Sequence, residues 1–211
     1  MHRTFFSVFA LLVALTHAAA AAEPAANANA PAQSEFKLPP GWTAEDMQAF
    51  ALAGTPGKMH ELLAQGVGEW TGKTQMWMGA DSQPVESSCT SKVSALMDGK
   101  FFQVDMNGEM PGMGPYKGLG LYGFDNVAQK FGSTWIDNHG TGMMQGTGTL
   151  SEDGKTITWN YSFNCPITKK IAHMRDVETI TGPNTKTLEM FGADPKSGKE
   201  YKMMRIELTK K

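Results

Sequence analysis

Pro115–Met144 reads PYKGLGLYGFDNVAQKFGSTWIDNHGTGMM, and its reading decides the fold. Side-chain character alternates along it with a period of two, the period of a strand whose successive side chains leave on opposite faces. Turn residues at DNVAQ (Asp125–Gln129) and NHGT (Asn138–Thr141) divide it into three consecutive strands, and its few charges sit mostly at those turns. Gly118, Gly120 and Gly123 mimic a phosphate-binding loop by eye. They lie inside a strand run and precede no helix, so a dinucleotide site is excluded. Glycine within a strand instead permits strong curvature, or lets a neighbouring aromatic lie across the backbone.

Outward from this stretch the same period continues. Ten strand-like runs are predicted: Glu69–Met78, Val85–Leu96, Lys100–Glu109, Tyr116–Phe124, Lys130–Asp137, Gly142–Leu150, Thr156–Asn164, Ile171–Ile180, Thr185–Phe191 and Glu200–Thr209. Alternation is cleanest in Thr156–Phe163, where Ile157, Trp159, Tyr161 and Phe163 share one side. Short connections force antiparallel neighbours. Strands this numerous, each with one apolar side, are best satisfied by closing the sheet, which removes its edges. The expected fold is mainly β: a ten-stranded antiparallel up-and-down barrel occupying residues 67–211, with a short helical segment at 42–66 covering one end.

Two helices are predicted in that segment. Thr43 caps the first, with Glu45 and Asp46 in the first turn where negative charge suits the helix dipole. It runs to about Ala53, with Met47, Phe50 and Ala51 on one face. Thr55 is expected to cap the second, with Pro56 at its first position, Met59, Leu62 and Leu63 as its buried stripe, and Gly66 at its end.

The N-terminus reads as an export signal over residues 1–22. Met1-His2-Arg3 is a basic start, Thr4–Leu15 an apolar core too short to anchor in a bilayer, and an alanine-rich run ends it. Cleavage after Ala22 leaves Glu23 first. Residues 23–41, rich in Ala, Pro and Asn, have no apolar period and read as a flexible linker. The mature protein is thus expected to be periplasmic or secreted, with no membrane anchor. The formal net charge of −2, without a Lys/Arg run, gives nucleic acid nothing to bind. Export also permits a disulfide between Cys89 and Cys165, the chain's two cysteines. The alternative is two buried thiols packed as small hydrophobes.

The run His60–Trp70 (HELLAQGVGEW), the MWM of Met76–Met78, GKF at Gly99–Phe101, GLGLYGFDN at Gly118–Asn126, STWID at Ser133–Asp137 and GTGMM at Gly140–Met144 together form a recognisable pattern. EMFG at Glu189–Gly192 and KMMRIE at Lys202–Glu207 complete it. In these motifs the chain resembles the bacterial domain-of-unknown-function family fifteen-seventy-nine. That resemblance implies a calycin-like (lipocalin-like) barrel with an internal cavity, and it implies no reaction. His139 and the cysteines depart from the family pattern.

Candidate chemistry is sparse. No nucleophile elbow, zinc-binding H-E-x-x-H or C-x-x-C motif occurs, so no cofactor is called for and no catalytic residue is assigned. The leading expectation is a binding module that holds a small apolar or amphipathic ligand, with His60, Trp70, Trp77, Trp135, Trp159 and Arg175 as candidate binding residues. Arg175 would serve a carboxylate head group; by parity it shares a face with His173 and Val177, while Asp176 goes with Met174, Glu178 and Ile180. Three alternatives stand beside it. A hydrolase or isomerase at the barrel mouth would need several of His60, Asp137, His139 and Arg175 in one pocket. Met106, Met110 and Met113, as soft thioethers, would suit Cu(I). A barrel filled by its own side chains would be structural or partner-binding.

Overall fold

The computed structural model describes residues 38–211. The expected leader, and the expected linker up to residue 37, lie outside the described residues. Two helices, α1 (Ala44–Ala53) and α2 (Lys58–Ala64), precede ten strands. These are β1 (Gly68–Met76), β2 (Val85–Leu96), β3 (Phe101–Met110), β4 (Gly114–Asp125), β5 (Lys130–Asp137), β6 (Met144–Leu150), β7 (Thr156–Asn164), β8 (Ile171–Gly182), β9 (Thr185–Ala193) and β10 (Glu200–Lys210). Each strand pairs antiparallel with the next, and β10 returns to β1 with Trp70 opposite Lys210 and Met76 opposite Met204, closing the barrel. The up-and-down order expected from the period is the order found.

Alternation works as anticipated in β7. Ile157, Trp159 and Tyr161 are buried inside while Asn160 and Ser162 face solvent. In β4 it works in reverse. Gly118 and Gly120 face inward and the leucines that alternate with them, Leu119 and Leu121, are exposed outside. The reason is Trp135 of the neighbouring strand. Its indole lies across both glycines, and a Cβ on Gly120 would stand 2.7 Å from Trp135 Cε3 and 2.5 Å from Tyr122 Cε2. Gly148 on β6 likewise seats Trp159, at 2.9 Å from a Cβ position. Large aromatics thus fit inside because the facing strand supplies only hydrogen there.

The helices differ in role. At α1, Thr43 Oγ1 accepts from the Asp46 N–H (3.2 Å) and Asp46 Oδ2 accepts from the Thr43 N–H (2.7 Å), a reciprocal cap as expected. Its apolar face is not buried: α1 buries no residue, and Phe50 stays exposed beside Trp42, ring to ring at 5.1 Å. At α2 the cap is Gly57, not Thr55. Thr55 Oγ1 instead donates to the Ala51 carbonyl (2.7 Å), finishing α1, and His60 Nδ1 accepts the Gly57 N–H at 3.1 Å. Met59, Leu62 and Leu63 pack onto the barrel core as predicted. Asn126 Nδ2, in the β4–β5 turn, donates to the carbonyls of Ala53 (3.1 Å) and Thr55 (2.8 Å), tying the interhelix turn to the same end of the barrel.

Candidate functional site: the barrel interior

The barrel is hollow. A cavity of about 500 Å³ runs through it, lined from Leu62 and Pro183 at the helix end to Met78 and Glu109 at the far end. Trp70, Trp77, Trp135 and Trp159 all line it, as do nine methionines. Each tryptophan that hydrogen-bonds does so within the wall. Trp70 Nε1 donates to the Gly66 carbonyl (2.8 Å), Trp135 Nε1 to Tyr116 Oη (2.9 Å) and Trp159 Nε1 to Glu178 Oε2 (3.3 Å). Their faces are thereby fixed as walls of the cavity.

Into this apolar space β8 projects two acids, Asp176 and Glu178, on the row it shares with Met174 and Ile180. Glu178 is matched. Lys186 Nζ on β9 lies 2.6 Å from Glu178 Oε1. Burial pushes the Glu178 carboxyl up, but the Lys186 ammonium and the Trp159 N–H more than offset it and hold the group below its ordinary range. Lys186 Nζ also sits 4.8 Å over the Trp70 ring. Asp176 is unmatched. It is 5% exposed, and its Oδ1 has no hydrogen-bond partner among the described residues. Burial, then the nearby Glu178 charge, raises its carboxyl to about 7. Burial also raises the phenols of Tyr116, Tyr122 and Tyr161, the last to about 12, so all three stay neutral.

Several sequence candidates lie elsewhere. Arg175 is on the outer face, over the Phe191 ring (4.2 Å) and 3.3 Å from Glu200 Oε1, so it binds no ligand head group inside the barrel. Parity correctly separates it from Asp176, but the inward row is the acidic one. His60 is buried at the helix end, edge-on to Phe124 (6.0 Å) with Nδ1 occupied by the Gly57 N–H, and it does not line the cavity. Asp137 and His139 lie at the opposite end, where Asp137 Oδ1 accepts the His139 N–H (2.9 Å) and His139 stacks on Tyr116. His60, Asp137, His139 and Arg175 therefore share no pocket. Met106 and Met110 line the cavity, whereas Met113 is exposed in the β3–β4 turn. Cys89 and Cys165 are both free thiols. Cys89 is on β2 and Cys165 follows β7, five places away around the barrel, too far to bridge. The residues that sequence reasoning misses are Asp176 and Glu178; the available signal is two acids on one strand row with Met174 and Ile180.

The sequence profile of a family described as "Protein of unknown function (DUF1579)" matches residues 55–210. Among solved structures, Rv2717c from M. tuberculosis is similar at a TM-score of 0.57 and 14% identity, covering 74% of this chain and 99% of that one. The S-type phycobiliprotein lyase CPES from Guillardia theta is similar at a TM-score of 0.52 and 10% identity, covering 76% of this chain and 96% of that one. Both are barrels of the calycin-like type, and at such identities the likeness establishes the fold alone. No curated protein matches the chain in sequence.

Proposed function

We propose that this chain, which belongs to the DUF1579 family, is a binding module that holds a small apolar or amphipathic molecule inside its barrel, and that it works outside the cytoplasm once residues 1–22 are removed. The observation that carries the binding role is the cavity of about 500 Å³ walled by tryptophan, tyrosine and methionine. A volume of that order suits a small organic guest, and methionine side chains adapt to its shape. The few polar groups among apolar walls are what orients a guest in such sites.

The test is native mass spectrometry of the full chain expressed with its own leader and purified from the periplasm, paired with titration of the fluorescent apolar probe N-phenyl-1-naphthylamine. A retained small-molecule mass, or saturable probe binding, supports the reading. The absence of both a retained mass and saturable probe binding overturns it. Fractionation of the same cells tests export: a chain beginning at Glu23 in the periplasm supports it, and an unprocessed chain confined to the cytoplasm overturns it.

A further inference from the structure

We propose that the guest is a cationic amphiphile, an apolar body bearing an ammonium group, and that the ammonium docks on Asp176 inside the barrel. This deepens the binding-module reading and rests on it.

Of the buried side-chain polar atoms, three have no partner among the described residues: Thr74 Oγ1, Ser133 Oγ and Asp176 Oδ1. Only the last belongs to an acid. A buried carboxyl without a partner is costly, and nothing in the wall offsets the cost. Lys186, the base projecting inside beside it, is already engaged by Glu178 at 2.6 Å. Asp176 lies opposite Trp159 on β7 and Met190 on β9, so its open side faces the cavity.

The charge of the lining decides the sign of the guest. Its acids are Glu109, Asp137, Asp176 and Glu178; its bases are Lys155 and Lys186. Lys155 is exposed in the β6–β7 turn at the helix end, and Glu109 and Asp137 stand at the far end. An anionic head group, such as a fatty acid carboxylate, would meet the Asp176 carboxyl and, among the described residues, no interior cation that is not already paired. An ammonium would meet a carboxylate acceptor and the negative faces of Trp135, Trp159 and the neighbouring tyrosines.

Protonation agrees with this assignment. The groups facing Asp176 are Tyr116 and Tyr122 of β4, Tyr161 of β7 and Glu178 of β8, the last joined to Lys186 of β9. None donates a positive charge to it, so in the empty barrel the carboxyl holds its proton to about pH 7. An arriving ammonium takes the proton's place. The Asp176 O–H proton leaves to solvent, the carboxylate remains, and the ammonium keeps all of its own hydrogens.

Decylamine, decanol and decanoic acid share one apolar body and differ in head group. Their binding to the wild type and to Asp176→Asn is followed at pH 8 by quenching of the interior tryptophans. For the wild type, decylamine should bind about tenfold tighter than decanol, and decanoic acid weakest. In Asp176→Asn, amine and alcohol should converge to within about twofold, with alcohol affinity retained as proof that the cavity persists. Calorimetry of the wild type at pH 6.5 in two buffers of different ionisation heat supplies a measurement independent of the variant: the amine should release a proton and the alcohol none. Equal wild-type affinity for amine and alcohol, an amine preference that survives in Asp176→Asn, or amine binding without proton release would each overturn the cationic assignment and leave the binding module standing. Failure of all three probes to bind would overturn both.

Discussion

Asp176 sets a pH signature in the protein's own stability. Its carboxyl ordinarily titrates near 3.8 and in the folded barrel near 7. Between those values the folded state holds a proton that the unfolded state has lost, so stability falls as pH rises through this window. The stabilising neutral form is fully present below about pH 4, and its contribution is lost above about pH 7. Asp176→Asn keeps the neutral shape at every pH. The variant should therefore be more stable than the ligand-free wild type at pH 8, by on the order of 4 kcal/mol, and the gap should close as pH falls toward 4. Thermal melts from pH 4 to 8 check this; a constant gap would show that Asp176 does not titrate in that window. Lys186 gives the complementary case. Lys186→Met strands the Glu178 carboxylate and should cost about 3 kcal/mol, much of it restored by adding Glu178→Gln, because removing both partners leaves no unmatched charge. Urea unfolding of the single and double variants measures it.

At the scale of the element, glycine placement carries more of the fold than hydropathy does. Gly120→Ala would drive a Cβ to 2.7 Å from Trp135 Cε3, whereas at Gly132 on the adjacent strand nothing lies within 4 Å. Overpacking of this kind costs about 1–3 kcal/mol. Gly120→Ala should fall in that range and shift Trp135 emission, while Gly132→Ala should change stability by less than about 0.5 kcal/mol. Equal effects would show that the glycine is not the seat of the indole. The same geometry explains what is legible in the sequence. A period of two is enough to place β2, β5 and β7 at their observed ends, because turn residues bracket them. It cannot say which face of β4 or β8 points inward. In β4 the inward positions are glycines and the leucines face out. In β8 the inward row mixes Met174 and Ile180 with Asp176 and Glu178, so hydropathy does not distinguish the two faces. Only the neighbouring strands, with Trp135 over β4 and Trp159 beside β8, decide it. The cap at α2 escapes sequence reading for a related reason: Thr55 is a strong capping residue, but its hydroxyl is already used by α1.

For the molecule as a whole, closure and hollowness are linked. Ten strands joined without an edge fix the circumference, so the wall cannot collapse onto an interior that its side chains do not fill. The lining then lacks packing partners over about 500 Å³, and those contacts are forfeited in the empty state. A guest restores them and binds only the folded chain, so it must raise the melting temperature. At a free concentration of one hundred times its dissociation constant the gain is about 2.7 kcal/mol. In a domain of this size that is about 5–10 °C. Filling the space from within should remove the effect. Met190 lines the cavity opposite Asp176, and Met190→Trp places a larger side chain in space that is already open. The variant should melt no lower than the wild type when both are free of ligand, should lose most of its affinity for decanol, and should show no ligand-dependent rise in melting temperature. Calorimetric scans with and without decanol decide between a hollow barrel and a filled one. A variant that melts several degrees lower would mean an interior already packed, the mark of a purely structural barrel. One that keeps the wild type's decanol affinity and thermal shift would mean that the guest sits elsewhere. A neutral probe makes this outcome independent of the charge on Asp176, so hollowness and head-group preference are tested apart.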